Sequence, residues 1–424
     1  MTRPFRDISV LRNKQAFSEL NARSLPGAAN PEEHDGRHRD HDGGGGARSG
    51  PHSSPHSGTD GDQRRAGRAA AGALGAHALG RPPVLVSGAA LVRPGPGQST
   101  SVDLCDGRVV VYRGADGVVR AMTAYCKHLG ADLGVGDVVG DDLRCPFHHW
   151  RYGTDGRCSH IPTGDRIPQA ARLFTFPVSE KWGIIWVFWG AEPPFEVPTI
   201  PTFDEKTMVS KSGQIPMDEP LVVDSWVFGT NIFDFAHFRA VHGIENLSPD
   251  VERDGHRMRW SVDNFIHEAV GRVTMTVEKW GPNISVTHGV RNGEFLGHLA
   301  ASSPMGREGT KFFIVAVTRL ESDDDEGRAT ADRNLDQILA LHTDLLNEDL
   351  PIMNTLRLGE AHMTAADRQM ARYLHYVRSY PRTTMAELER SVLPARGDGR
   401  AASAPSASGP AASAPSAAAN AGSE

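Results

Sequence analysis

The sequence has few cysteines, no excess of basic residues and no long apolar run. Four cysteines in a sequence without a predicted leader favour metal ligands or buried thiols over a disulfide framework. Lys and Arg number 45 against 52 Asp and Glu, and this net charge of −7 argues against nucleic acid as the main partner. No segment approaches the roughly 20 apolar residues that span a bilayer. Residues 1–11 also lack the apolar core of a signal peptide. These absences favour a cytoplasmic enzyme or binding protein.

Both ends of the sequence have a composition that cannot bury a core. Residues 30–82 contain the glycine run Gly43–Gly46 and almost no large apolar residue. We therefore predict a mostly disordered extension over residues 1–82. Residues 396–424 consist mainly of Ala, Ser, Pro and Gly and are predicted to be a disordered tail. The function is expected to lie within residues 83–395.

Residues 83–192 are predicted to form a small all-β domain, because short strand-like runs alternate with turn signals. The runs are Arg108–Tyr112, Val118–Met122 and Ile184–Trp189, and one turn is Asp116–Gly117. A proline-rich stretch over Pro193–Pro201 predicts a linker to the next domain.

Residues 193–395 are predicted to form an α+β domain, since several longer strands precede a long helix. The predicted strands are Leu221–Phe228, Arg257–Val262, Glu268–Val277, Asn283–Val290, Phe295–Ala301 and Lys311–Leu320. The predicted helices are Thr230–Val241 and Asp332–Leu358.

The first group of candidate ligands combines two cysteines and two histidines. Cys126 and His128 form one half, and Cys145 and His148 form the other. A [2Fe–2S] cluster with two thiolates on one iron and two imidazoles on the other needs this set of ligands. Structural zinc is the rival, but zinc sites usually pair like ligands within each half of the motif. The mixed halves favour the iron–sulfur cluster.

The second group consists of His237, His242 and a later carboxylate, the ligand set of non-haem Fe(II) sites. Asp234 stands three residues before His237, so both would share one face of a helix. His242 lies five positions after His237, which predicts a helix end or distortion near Gly243. The best carboxylate is Asp349, inside the second predicted helix. Its rivals are Glu348 and Asp344.

The two motifs together resemble those of the Rieske non-haem iron oxygenases. Respiratory Rieske proteins carry an extra cysteine pair, but Ala131 and Phe147 occupy those positions here, so the resemblance is to the oxygenase type. His149 replaces the glycine that commonly follows the second histidine ligand. Within the family, the sequence is most similar to ketosteroid hydroxylase oxygenases and cholesterol desaturases, and prodiginine oxidative cyclases also look similar. The segments that carry this impression are Cys145–Arg151, Cys158–Pro162 and Arg166–Pro168.

The resemblance implies a small Rieske domain followed by a helix-grip antiparallel sheet domain, and it assigns roles to the candidate ligands. The first group would bind the [2Fe–2S] cluster, and His237, His242 and Asp349 would bind a mononuclear Fe(II). Asp234 would bridge the cluster of one subunit to the iron of its neighbour, supported by Asn231. Such a bridge implies a homotrimer.

The expected function is that of a terminal oxygenase. No glycine-rich nucleotide fingerprint follows a strand, so electrons would come from a separate ferredoxin or NAD(P)H reductase. The enzyme would use O₂ to oxidise a hydrophobic, polycyclic small molecule by hydroxylation, desaturation or oxidative cyclisation, as in steroid or secondary metabolism. The alternatives are an oxidative cyclase of bacterial pigment biosynthesis, a Rieske electron-transfer protein without oxygenase activity, and a lipid-binding helix-grip module with a degenerate metal site.

Overall fold

The computed structural model describes residues 85–87, 94–268, 271–358 and 361–394. The predicted disordered extension over residues 1–82 and the predicted tail over residues 396–424 lie outside these ranges. Among the helices described, none has both the length and the apolar character needed to cross a bilayer.

The amino-terminal part of the described chain consists of three small antiparallel sheets. The first contains β2 (Ser99–Leu104), β3 (Gly107–Arg113), β4 (Val119–Thr123) and β9 (Thr175–Phe176). The second contains β5 (Asp137–Val139), β6 (Asp142–Arg144), β7 (Arg151–Tyr152) and β8 (Cys158–His160). The third contains β1 (Leu85–Ser87), β10 (Val178–Lys181) and β11 (Ile184–Phe188). All three strands predicted in this part are present as β3, β4 and β11. The predicted turn before β4 contains Gly117 at a φ of 78°, a conformation that favours glycine.

The carboxy-terminal part is built on one seven-stranded antiparallel sheet with the order β12-β18-β17-β16-β15-β14-β13. Its strands are β12 (Met208–Gln214), β13 (Val251–Asp254), β14 (Arg257–His267), β15 (Gly271–Trp280), β16 (Ile284–Arg291), β17 (Glu294–Pro304) and β18 (Thr310–Arg319). Side chains alternate between two faces. On the outer face, Val286 and Leu299 pack with Trp186 of β11. On the inner face, Trp260 and Val277 pack against the helices.

Five α-helices accompany this sheet within the described residues. They are α1 (Gly229–Phe233), α2 (Phe235–Ala240), α3 (Asp325–Met353), α4 (Arg368–Ser379) and α5 (Met385–Ser391). Helix α3 buries Leu346, Leu350 and Met353 in the inner core, and α4 adds Tyr373 and Val377. The predicted α+β class is confirmed.

Three local predictions are wrong. Leu221–Phe228 is not a strand: Leu221 forms an isolated bridge to Thr310, and turns then lead into α1. Most of its apolar side chains are buried although the segment is a loop, the exception being Val222 at 56% exposure, so their hydrophobicity did not signal a strand. The predicted helix Thr230–Val241 is two helices, because Asp234 leaves the helical region with a φ of −96° and a ψ of 87°. Helix α3 begins at Asp325 rather than Asp332, since the Asp324 side chain accepts a hydrogen bond from the Gly327 backbone N–H and caps it.

The two parts of the molecule share cores and hydrogen bonds. Leu388 of α5 and Met305 after β17 complete the core formed by β3, β4 and β11. Trp189 Nε1 donates a hydrogen bond to the Thr383 carbonyl at 3.3 Å. Lys127 Nζ lies 2.6 Å from Glu389 Oε1 of α5. The predicted linker is irregular but packed, with Val197 and Ile200 buried. The domain boundaries at residues 83–192 and 193–395 stay predictions.

Candidate functional site

Two tight loops carry the cysteine and histidine pairs of the first site. In the first loop, the Cys126 backbone N–H donates to the Ala131 carbonyl and the Gly130 N–H donates to the Cys126 carbonyl, both at 2.9 Å. Gly130 has a φ of 77°, which a side chain would disfavour. In the second loop, the Cys145 N–H donates to the Trp150 carbonyl at 2.8 Å. Each loop therefore presents one thiol and one imidazole from a fixed backbone.

The four candidate ligands separate by chemistry. The thiols of Cys126 and Cys145 are 3% and 2% exposed and interact with each other. The imidazoles of His128 and His148 are exposed, and their ring centroids lie 4.6 Å apart. A buried pair of thiols and an exposed pair of imidazoles match a [2Fe–2S] cluster that has thiolates on its inner iron and imidazoles on its outer iron. Zinc would need all four donors around one point. The arrangement fits the cluster better than zinc.

Tyr152 and Trp150 contact the candidate cluster ligands. The Tyr152 hydroxyl accepts a hydrogen bond from the Lys127 backbone N–H at 2.8 Å and lies 3.2 Å from Cys126 Sγ. The hydroxyl hydrogen is therefore free to point at the sulfur. Burial raises the pKa of the Cys126 thiol, while the bond to Tyr152 lowers it. The Trp150 ring stacks on His128 with centroids 4.7 Å apart. The sequence motif contained both aromatic residues but did not reveal these contacts.

His149 has a backbone conformation that explains a departure from the family pattern. Its φ is 57°, in the left-handed region. Glycine is the usual residue there, and histidine is among the side chains that enter this region more often than others. The substitution therefore keeps the loop that glycine would form.

The second site is assembled where α1, α2 and the turn after α2 meet. Asp234 separates the two helices, and its Oδ1 accepts a hydrogen bond from the His237 backbone N–H at 3.0 Å. Asp234 thus caps α2 instead of sharing a helix face with His237, which corrects that part of the prediction. Helix α2 ends at Ala240, and Gly243 has a φ of 65°. The turn brings His242 Nε2 to 3.1 Å from His237 Nε2.

Asp349 of α3 completes a triangle of donor atoms with the two imidazoles. Its Oδ1 lies 3.6 Å from His237 Nε2 and 3.7 Å from His242 Nε2. Its Oδ2 accepts a hydrogen bond from Asn231 Nδ2 at 2.9 Å. Oδ1 is buried and has no hydrogen-bond partner within the described part of the chain. A metal bonded at about 2.1 Å to three donors at right angles would hold them about 3 Å apart. The three side chains fit a mononuclear metal ion.

The rival carboxylates of α3 lie elsewhere. Glu348 Oε2 is 3.8 Å from Nδ1 of His242, the nitrogen on the other side of that ring. Asp344 is exposed. Burial lowers the pKa of His242, which favours the neutral imidazole that a metal requires. Asp349 is therefore the carboxylate whose oxygen lies near the Nε2 atoms of both histidines.

Residues 84–177 match the model of the Rieske [2Fe–2S] domain family. This range contains the two loops and all four candidate ligands of the first site. The chain contains a Rieske [2Fe–2S] domain. This family match confirms the predicted [2Fe–2S] cofactor.

Curated relatives extend the likeness beyond the Rieske domain. The chain is 35% identical over 158 residues to the probable 3-ketosteroid-9-alpha-monooxygenase, oxygenase component, of Rhodococcus rhodochrous. That alignment covers 34% of this chain and 37% of the relative. The chain is 33% identical over 180 residues to cholesterol 7-desaturase of Bombyx mori, covering 42% of this chain and 37% of the relative. The matches thus span little more than a third of each relative's length. The predicted resemblance to ketosteroid hydroxylase oxygenases and cholesterol desaturases is confirmed.

Solved structures share the fold of both parts of the molecule. The structure of Pseudomonas putida CBB5 NdmA with caffeine has a TM-score of 0.55 at 22% identity, covering 74% of this chain and 94% of that one. Dicamba monooxygenase bound to 3,6-dichlorosalicylic acid has a TM-score of 0.53 at 18% identity, covering 73% of this chain and 98% of that one. At these identities the likeness shows the fold.

Proposed function

We propose that the protein is the terminal oxygenase component of a Rieske oxygenase system and oxidises a hydrophobic polycyclic molecule of the steroid type. One observation carries the proposal: a chain with a Rieske domain also holds His237, His242 and the unpartnered Oδ1 of Asp349 in a triangle with edges of 3.1–3.7 Å. An electron-transfer protein would have no use for this second site. The names of the curated relatives support the steroid-type substrate.

The ligands follow from the donor sets described above. The cluster ligands are Cys126, His128, Cys145 and His148, and the Fe(II) ligands are His237, His242 and Asp349. When bound, Fe(II) supplies open coordination positions at which O₂ is activated. Asn231 orients the site, because its amide holds Oδ2 of Asp349 and leaves Oδ1 facing the two imidazoles.

Asp234 is the link between the two kinds of site, acting between neighbouring subunits of a homotrimer. The exposed side chains around the cluster loops support this assembly. Leu129, Val135 and Phe147 are 66%, 75% and 61% exposed, and a set of apolar side chains of this kind is typical of a surface covered by another protein. A second copy of the chain is the occupant that would bring a partner's carboxylate to His128 and His148.

Electrons come from a separate ferredoxin or NAD(P)H-dependent reductase, since the sequence contains no nucleotide-binding fingerprint. A cytoplasmic location agrees with Cys126, Cys145 and Cys158, which form no disulfide.

The proposal is tested by metal content, spectrum and turnover of the purified full chain. We expect about three irons and two acid-labile sulfides per chain, because the two sites add two irons and one iron. A Rieske-type EPR signal after reduction and oxidation of a 3-ketosteroid with a surrogate reductase should accompany them. The His237→Ala variant is the matched control, and it should lose one iron and turnover while keeping the EPR signal. A wild-type chain that binds only two irons after Fe(II) is added would contradict the oxygenase and favour the electron carrier.

A further inference from the structure

Two histidines outside both metal sites face each other in the interior of the carboxy-terminal part. His298 lies on β17 and His342 on α3, and their ring centroids are 4.2 Å apart at an interplanar angle of 68°. Burial lowers the pKa of both imidazoles, that of His298 well below its ordinary range. No sequence motif marks either residue, because their contact depends on how the helix crosses the sheet.

The histidine pair lies between the sheet and helix α3 without being fully buried. Although the protein surrounds both rings closely enough to lower their pKa values, both side chains are only half-buried by accessible surface. Both rings lie where helix α3 crosses the sheet, and both keep some accessible surface there. The neighbours of His298 on the inner face are small: Ala316 and Thr287 oppose it in the sheet, and Ala300 follows it on β17. Small side chains leave room between the sheet and the helix.

Helix α3 and one row of residues across the inner face of the sheet both extend from this histidine pair towards the proposed iron ligands. His342 precedes Asp349 by seven residues in α3, so both lie on one helix face about 10 Å apart. Across the sheet, His298 stands in register with Thr287, Val277 and Trp260 in turn. Trp260 Nε1 donates a hydrogen bond at 3.1 Å to the carbonyl of Ile232, the residue after Asn231. The inner face thus has the histidine pair at one end and the Fe(II) ligands at the other.

The hydrogen bonds of the pair define what it can recognise. His342 Nδ1 lies 2.8 Å from the Ile338 carbonyl, which can only accept, so Nδ1 carries the proton and Nε2 is an acceptor in the neutral ring. His298 Nδ1 is buried without a hydrogen-bond partner in the described ranges. A neutral imidazole pair offers one donor and one acceptor to an uncharged oxygen. It gives no positive charge to compensate a carboxylate.

We propose that His298 and His342 form the polar end of the substrate cavity and bind one hydroxyl group of the polycyclic substrate, which donates to His342 Nε2 and accepts from His298. This inference rests on the proposed function and assigns its specificity. The oxidised carbon would lie two helical turns from that oxygen, which is the span of a polycyclic skeleton rather than of a single ring.

The test compares a hydroxysteroid with the corresponding steroid hydrocarbon, which lacks the oxygen. The full-length holoprotein is assayed with a surrogate reductase, and binding is measured separately by equilibrium titration without reductant. The wild type should prefer the hydroxysteroid by about tenfold or more, because a site built around a substrate hydroxyl leaves its own polar groups unpaired without it. His298→Leu and His342→Leu should lose this preference through a raised KM for the hydroxysteroid, with iron and sulfide content unchanged. His342→Gln keeps an acceptor for the hydroxyl hydrogen and should restore part of the preference.

His288→Leu is the matched control, since His288 is a half-buried histidine on the opposite face of the same sheet. It should keep the wild-type preference. If both leucine variants bind and oxidise the hydroxysteroid as the wild type does, or if the wild type prefers the hydrocarbon or a steroid carboxylic acid, the inference is overturned. If the wild type binds the hydroxysteroid through these histidines but never oxidises it, the inference holds and the proposed oxygenase function fails.

Discussion

Replacing Lys279 by methionine should stabilise the protein at neutral pH. Lys279 lies on the inner face of the sheet between Met258 and Ser285, and its side chain is 2% exposed. Burial lowers the pKa of its ammonium group from 10.5 to about 7, with no neighbouring charge opposing the shift. A methionine side chain has a similar length and carries no group that needs a proton or water.

The size of the effect follows from the difference between the folded and unfolded pKa values. One pKa unit corresponds to about 1.4 kcal/mol, so the gap between 10.5 and about 7 costs the folded state up to about 5 kcal/mol at pH 7 and below. Between these two values the unfolded chain binds a proton that the folded chain does not. The free energy of unfolding therefore rises with pH across this window, by about 1.4 kcal/mol per pH unit. The substitution removes both the cost and the slope.

The assay is thermal unfolding of the holoprotein at pH 7, 8 and 9. We expect Lys279→Met to have a higher Tm than the wild type at pH 7, and this difference should shrink towards pH 9. Lys206→Met is the control, because Lys206 is exposed and its replacement should leave Tm unchanged at every pH. A Lys279→Met variant with an unchanged or lower Tm at pH 7 and the wild-type dependence on pH would refute this account of the buried ammonium.

Three further predictions concern the metal sites. Asn231→Ala removes the donor to Asp349 Oδ2 and should weaken Fe(II) binding about 10- to 100-fold in an iron titration, with the cluster spectrum intact; unchanged affinity would contradict the orienting role. Asp234→Asn keeps a side chain able to cap α2, so both metals should bind while steady-state turnover nearly disappears; full activity would exclude the bridging role. Tyr152→Phe removes the hydroxyl beside Cys126 Sγ and should lower the reduction potential of the cluster in a redox titration, whereas an unchanged potential would mean that this hydroxyl does not donate to the sulfur.

Predictions that rest on the spacing of residues within a short segment of sequence agree with the structure. The mixed cysteine and histidine halves lie within the residues that match the Rieske family, and the strands predicted at Asn283–Val290 and Lys311–Leu320 are present as β16 and β18. The end of helix α2 before His242 was also predictable, because a spacing of five cannot keep two side chains on one helix face.

Features that depend on packing between distant segments were not predictable. Leu221–Phe228 is apolar enough for a strand, but within the described residues it pairs with the sheet only through the isolated bridge from Leu221 to Thr310. The break at Asp234 is a capping choice that hydrophobic periodicity does not record. The contact between His298 and His342 depends on the register of β17 under α3. For the same reason, the sequence does not distinguish among hydroxylation, desaturation and oxidative cyclisation, since the shape of the cavity decides among them.

The packing of α5 against the Rieske domain has a consequence for how the protein matures. Glu389 pairs with Lys127, which stands 262 positions earlier between two of the proposed cluster ligands, and Leu388 fills the core beside β3 and β11. During synthesis, the first cluster loop leaves the ribosome long before the helix that finally supports it. The hydrophobic core of the amino-terminal part is therefore completed only after nearly the whole carboxy-terminal part has been translated. Until α5 is made, the first cluster loop therefore lacks the contact between Lys127 and Glu389 that holds it in the folded protein.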